Sequence, residues 1–311
     1  MPDQANHLRQ MMRGARRAAI SGAAERPGLL VVAGGKGGVG TTTLAVNLAV
    51  ALARRGRRTL VVDGDLGKAD TAALCGTRQG YTVGDVLAGR RSIQEAMQDG
   101  PAGIRVLPGA WATGHVTDCS ATAQERLVAD LARLERFDHV VIDAGSGVTR
   151  IVERFWRAAD RVLLVTTTAS TSVIDAYAAL KTFGGGRQGP MAQVVMNMAD
   201  GRQAQGAMSR LRDACRRFLG LELDCAASLA HCREIAEAAQ RQMPVVLSSP
   251  ASQAAQIIDR LAESVEQSTG DRKDEVLPER VASGPFGVGI VQAEDGQPGE
   301  EIRRSIQATH V

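Results

Sequence analysis

The sequence predicts a three-layer α/β fold, a mostly parallel central sheet with helices on both faces. Three observations carry that expectation. Short aliphatic and β-branched runs recur at Leu29–Val32, Thr59–Val62, Phe137–Ile142, Arg161–Val165 and Ala192–Met196. Longer stretches with apolar residues at helical spacing separate them. Strands alternating with helices make a parallel sheet, whose strands are buried on both sides and read as nearly continuous apolar runs.

The elements follow in order. The first strand ends in the glycine-rich turn Gly34-Gly35-Lys36-Gly37-Gly38-Val39-Gly40, and a helix is expected from Leu44 to Arg55. Arg57-Arg58 lead into the strand Thr59–Val62, closed by Asp63-Gly64-Asp65. Residues 70–100 read as helices and turns, and Ile104–Gly109 as a short strand with its turn. A helix over Thr122–Arg136 feeds the run Phe137–Asp143. Beyond Arg161–Val165 come a helix over Ser172–Phe183, a strand ending at Asn197, and a helix over Arg202–Leu219. A strand in Leu221–Ser228 and helices near His231–Arg241 and Ser252–Gln267 complete the pattern.

Length and composition bound the rest. A chain of 311 residues suits one large domain with tails, here 1–27, 28–267 and 268–311. Apolar residues at 44% support a core, aromatics at 3% argue against a base-stacking nucleic-acid platform, and a net charge of +3 makes no strong claim on DNA or anionic lipid. The five cysteines form no Cys-x-x-Cys pair, so idle thiols fit better than zinc ligands. No membrane-spanning run is present, and a cytoplasmic location is expected. In the first segment Leu8, Met11, Met12, Ala15 and Ala19 recur at helical spacing among Arg9, Arg13, Arg16 and Arg17, before the break Arg26-Pro27-Gly28. That is a basic amphipathic helix, either a solvated leader or a partner helix. After Ser268, charge, Gly and Pro dominate and a disordered tail is expected.

The chemistry gathers at the first turn. Strand, glycine-rich loop and helix in succession are the setting of a phosphate-binding loop, in which backbone N–H groups and the helix N-terminus converge on an anion. Gly35 and Gly40 have the required spacing, Thr42 stands where a Mg²⁺-binding hydroxyl belongs, and Thr41 stands where the phosphate-gripping lysine is expected. Asp63, Asp65 and Asp143 end their strands on the edge where α/β folds bind ligands. Asp63 and Asp65 could instead cap a helix or turn, and Asn197 could end its strand in a turn.

With these residues the chain resembles the MinD/ParA group of deviant-Walker P-loop ATPases, and within it the FlhG (FleN, YlxH) regulators of flagellar number. The match runs over about residues 1–267: Gly35–Gly40 for the loop, Asp63-Gly64-Asp65-Leu66-Gly67 for switch I, and Asp143 for the Walker B acid. Ile142–Gly147, Val165-Thr166-Thr167, Asp175-Ala176-Tyr177 and Lys181 resemble the central segment of that subfamily. The resemblance implies ATP or ADP with Mg²⁺, held by Gly35, Lys36, Gly37, Gly38, Val39, Gly40, Thr41, Thr42 and Thr43. Thr42, Asp63 and Asp143 would serve the metal and Asn197 the adenine. Lys36 would act across an ATP-bound homodimer and Asp65 would position the attacking water. The opening Asp3-Gln4-Ala5, with Leu8 and Arg9, resembles an activator motif acting on an FlhF-like GTPase.

The departures are Thr41 for lysine, Lys68 and Asp70 beside switch I, and Ala230-His231-Cys232 where a Pro-x-Asp segment is expected. They imply slow or lost hydrolysis. No basic amphipathic helix closes the chain, so membrane association would be weak or indirect, at the inner face of the membrane or the cell pole, and flagellar switch or regulatory proteins are further partners. Two alternatives stand beside this reading: a ParA-like partitioning or positioning ATPase, for which Arg54-Arg55 and Arg57-Arg58 would offer a DNA surface, and a non-hydrolysing scaffold for secretion or polysaccharide assembly.

Overall fold

The computed structural model describes residues 26–66, 69–77, 80–109, 119–184 and 190–271. The expected N-terminal partner segment with Asp3, Gln4, Leu8 and Arg9, Lys68 beside switch I, and the tail beyond Asp271 lie outside the described residues.

Eight strands form one sheet in the order β3-β4-β2-β5-β1-β6-β7-β8. They are β1 (Gly28–Gly34), β2 (Thr59–Asp63), β3 (Gln98–Asp99), β4 (Arg105–Leu107), β5 (His139–Ser146), β6 (Arg161–Thr166), β7 (Met191–Met196) and β8 (Asp224–Ser228). All neighbours run parallel except β3 against β4. The helices are α1 (Thr41–Arg54), α2 (Asp70–Cys75), α3 (Val83–Leu87), α4 (Ile93–Ala96), α5 (Ala121–Leu131), α6 (Arg150–Ala158), α7 (Ser170–Phe183), α8 (Gly201–Leu219), α9 (Arg233–Gln240), α10 (Val245–Ser248) and α11 (Gln253–Asp271).

Alternation along each strand sends successive side chains to opposite layers. Leu29, Val31 and Ala33 of β1 join Leu60, Val62, Val140, Ile142 and Val162 in a core covered by α3 to α8. Leu30 and Val32 join Val61, Val141 and Leu163 in a second core under α1, α10 and α11. Both faces of the sheet are therefore closed, as its apolar runs predict. Helix α1 has ten buried residues, Thr41 among them, which explains why its sequence is almost wholly Ala, Leu and Val after the threonines. Its one buried amide, Asn47, is satisfied: Nδ2 donates to Thr43 O at 2.8 Å, and Oδ1 accepts from Val246 N at 3.2 Å.

Several features differ from the sequence reading, the short helix α10 among them. Helix α6 was not expected; Thr149 caps it and Ile151, Val152, Phe155 and Trp156 bury one face. Strand β3 has two residues on the sheet edge. Helix α5 stops at Leu131, five residues short of the expected Arg136, because 132–138 turn back into β5. Helix α11 continues to Asp271 rather than ending at 267.

Candidate nucleotide site

Strand β1 lies between β5 and β6, so the loop after it leaves from the middle of the sheet. The chain turns to β2 on one side and reaches β6 and β7 on the other. Such a switch of direction opens a crevice at the carboxyl ends of the strands. Two glycines are required by close approach. A Cβ at Gly35 would collide with the backbone of Asp175 and Ala176 in α7, and one at Gly40 with the Asn197 amide. Gly40 also has φ of 92°, in the left-handed region that side chains disfavour. Asn197 Nδ2 donates to Val39 O at 2.8 Å, so the residue predicted to meet a base also braces the loop.

Helix α1 starts directly at Thr41 with no side-chain cap and no acid in its first turn. The first turn of a helix presents N–H groups without partners inside the helix. An uncapped, positively polarised terminus behind a glycine loop suits an anion. Lys36 is exposed at the loop tip, where its Nζ donates to Thr171 Oγ1 at 3.2 Å. Thr41 is buried in the first turn and brings no charge.

The acids complete the crevice. Asp63 and Asp143 pair in register at the ends of β2 and β5, and both are 1% exposed. Asp63 accepts from the N–H groups of Asp65, at 3.2 Å, and Thr71, at 3.3 Å. Burial, reinforced by the Asp143 charge, pushes its carboxyl well above the usual range. Burial likewise raises Asp143 to about 6, with Asp65 and Asp70 adding to the rise and the Thr42 hydroxyl and Gly145 N–H opposing it. Asp143 Oδ1 accepts from Gly145 N at 3.1 Å, but its buried Oδ2 has no hydrogen bond of normal geometry, the nearby Thr42 hydroxyl notwithstanding. Cys75, behind this pair, is pushed up to about 12 by burial and the Asp63 charge, and is an inert thiol.

These residues fit Mg²⁺. That ion keeps several waters and takes one or two carboxylates together with phosphate oxygens. Thr42, Asp143 and Asp63 offer such a set, and the orphaned Asp143 oxygen is the acceptor a metal-bound water would satisfy. Among the described residues no cluster of three or more His, Cys, Asp or Glu is arranged as a metal cage.

The structure thus brings Gly35 to Thr43, Asp63, Asp65, Asp143 and Asn197 to one crevice. Sequence reasoning missed three contributors: Thr171, which holds Lys36; Thr71, whose N–H steadies Asp63; and Ser146, which lies 3.7 Å from the Cβ position of Gly37. Only Ser146 had a local signal, directly after the Walker B acid. The arginines offered as a DNA surface are engaged within the fold. Arg54 contacts Asp259 at 3.7 Å, Arg55 contacts Glu266 at 2.5 Å, Arg57 also pairs with Glu266, and Arg58 with Asp138 at 2.7 Å.

This fold and crevice define a class, and a sequence model of the CobQ/CobB/MinD/ParA nucleotide binding domain matches residues 30–245. The chain belongs to that family of P-loop proteins. Among individual relatives it is similar to the antiactivator FleN of Pseudomonas aeruginosa, 33% identical over 76% of this chain and 86% of FleN. It is also similar to the flagellum site-determining protein YlxH of Helicobacter pylori, 30% identical over 49% of this chain and 52% of YlxH. The cell division ATPase MinD of Pyrococcus furiosus superposes with a TM-score of 0.66 at 26% identity, over 78% of this chain and 99% of MinD. The Pyrococcus horikoshii MinD complexed with Mg-ADP shares the fold, with a TM-score of 0.67 at 24% identity over 79% of this chain and 98% of that one.

Proposed function

We propose that the chain is an ATP-binding, nucleotide-gated dimerising regulator of flagellar number or placement, acting with an FlhF-like GTPase, with slow or absent hydrolysis. The observation that carries this reading is the similarity to FleN across most of both chains. Loop N–H groups 37–41 and the α1 terminus bind the phosphates, Thr42, Asp63 and Asp143 hold Mg²⁺, and Asn197 meets the adenine. Asp65 positions water, and Lys36 crosses to the nucleotide of a second copy. Binding and association then stabilise each other, as linkage requires. The N-terminal Asp3, Gln4, Leu8 and Arg9 act on the GTPase partner. A membrane contact is peripheral and borrowed from a partner; among the described residues no helix is long and apolar enough to cross a bilayer.

The test joins two measurements. With ATP and Mg²⁺, light scattering should show a dimer for the wild type and a monomer for Lys36→Ala. In cells lacking the gene, electron microscopy should show an altered flagellar count that the wild type restores and Lys36→Ala does not. An unchanged count sinks the flagellar assignment; an unchanged dimer sinks the trans role of Lys36. Thr41 favours a second reading, a non-hydrolysing nucleotide-bound scaffold, and phosphate release at background level would select it.

A further inference from the structure

A nucleoside triphosphate brings more negative charge than a diphosphate into a crevice that already holds Asp63, Asp65 and Asp143. Thr41 removes the cation expected inside the loop, and Lys36 is turned to Thr171 at the rim. Within one protomer, a cation at the terminal phosphate has to come from another element, beside the Lys36 that a second copy would bring.

One groove meets that need. It encloses about 460 Å³ and is lined by Asp65, Leu66, Gln124, Ser146, Thr149 and Arg150. Its inner end is the turn after β5. There a Cβ at Gly145 would collide with the Asp65 carboxylate, Gly147 N donates to Gly34 O at 3.0 Å, and Ser146 faces Gly37. Asn197 touches the loop at Val39 and Gly40 instead; with the adenine at Asn197 as proposed above, the groove would open at the far end of the phosphate chain.

Arg150 is the first residue of α6 and is exposed. Among the described residues its guanidinium makes no ion pair and no hydrogen bond. Its neighbour Arg154 is engaged, donating to Gln124 Oε1 at 2.9 Å and facing Glu125 at 3.5 Å. A long, planar, permanently charged side chain that lines the same groove as Asp65 and Ser146 suits a phosphate oxygen. We infer that Arg150 contacts the terminal phosphate of a bound nucleoside triphosphate and supplies the charge that Thr41 lacks. This rests on the nucleotide-binding reading above and adds that triphosphate is told from diphosphate by a residue of α6.

Equilibrium titration with fluorescent ATP and ADP analogues, with Mg²⁺, tests it. Arg150→Ala should weaken ATP about tenfold or more, the scale of a lost charge-assisted hydrogen bond, and leave ADP within about twofold. Arg150→Lys should recover part of the ATP affinity. An unaltered melting temperature without nucleotide separates this from misfolding. Equal losses for both nucleotides, or no loss, overturn the assignment of Arg150. Failure of the wild type to bind either nucleotide overturns the nucleotide-binding reading itself.

Discussion

The two ends of α1 contrast. At its N-terminal end, first-turn N–H groups stand uncapped, Thr41 carries no charge, and a buried Asp143 oxygen has no hydrogen bond. At its C-terminal end, Arg54, Arg55 and, just beyond, Arg57 meet Asp259, Glu263 and Glu266 of α11. One end is electrostatically incomplete and the other is neutralised within the fold. Buried polar groups are normally satisfied, so the unpartnered Asp143 oxygen beside the uncapped helix end is what the proposed ligand would complete.

The largest effect should come from removing the orphan. If Asp143 and Asp63 hold Mg²⁺ as proposed, Asp143→Asn should lower Mg²⁺-dependent ATP affinity about a hundredfold, measured by titration with and without the metal. The same change should stabilise the nucleotide-free protein at pH 7. The folded carboxyl titrates at about 6 instead of 3.8, so the folded state binds more protons in that window and wild-type stability falls as pH rises through it. At about 1.4 kcal/mol per pH unit the penalty is at most about 3 kcal/mol above pH 6, and it is absent below about pH 4. Melting curves of the two proteins should therefore converge in acid. Equal melting temperatures at pH 7 would mean that the acid is not a source of strain.

A smaller change is expected from restoring the missing cation. Thr41→Lys should raise ATP turnover about tenfold if a preorganised charge in the loop limits the rate, as read by phosphate release. Combined with Arg150→Ala it should lose little, since the two cations would serve the same phosphate. Strictly additive effects would place them at separate sites.

The contrast also explains what the sequence could show. Strands and loop were legible because each is written in consecutive residues: Leu29–Val32 with the glycines, or Val140–Asp143 with its closing acid. Helix α6 carried a signal in Thr149 and the pairs Ile151-Val152 and Phe155-Trp156, but its nine residues lie between a glycine turn and a strand. The two residues of β3 fall below any periodicity. Partners far along the chain were invisible. Arg55 and Glu266 are 211 residues apart, and Lys36 and Thr171 are 135 apart. An arginine cluster reads as free until the fold brings acids to it, which is how a DNA surface stayed open as an alternative. Asn197 was visible as a strand-end amide, but its bond to Val39 depends on β6 and β7 lying beside β1.

The smallest effect belongs to the neutralised end and decides whether those arginines are free for a polyanion. Although burial works against it, the pairs with Arg57 and Arg55 hold Glu266 below its ordinary range. A depressed carboxylate contributes stability that is full above its unfolded value of 4.5 and lost as pH falls through the folded value. Glu266→Gln should therefore cost about 1 kcal/mol at pH 7, the scale of a partly exposed ion-pair network. For a domain of this size that lowers the melting temperature by about 2–4 °C. The difference should shrink in 1 M salt, where the Debye length is about 3 Å, and disappear in acid below the folded value. The same substitution releases Arg55 and Arg57. If α11 is what keeps these arginines from nucleic acid, Glu266→Gln should bind duplex DNA more tightly than the wild type, with a steeper salt dependence. If the wild type already binds DNA with a steep salt slope and the variant does not differ, the pairs with α11 do not neutralise that surface, and the partitioning alternative is favoured.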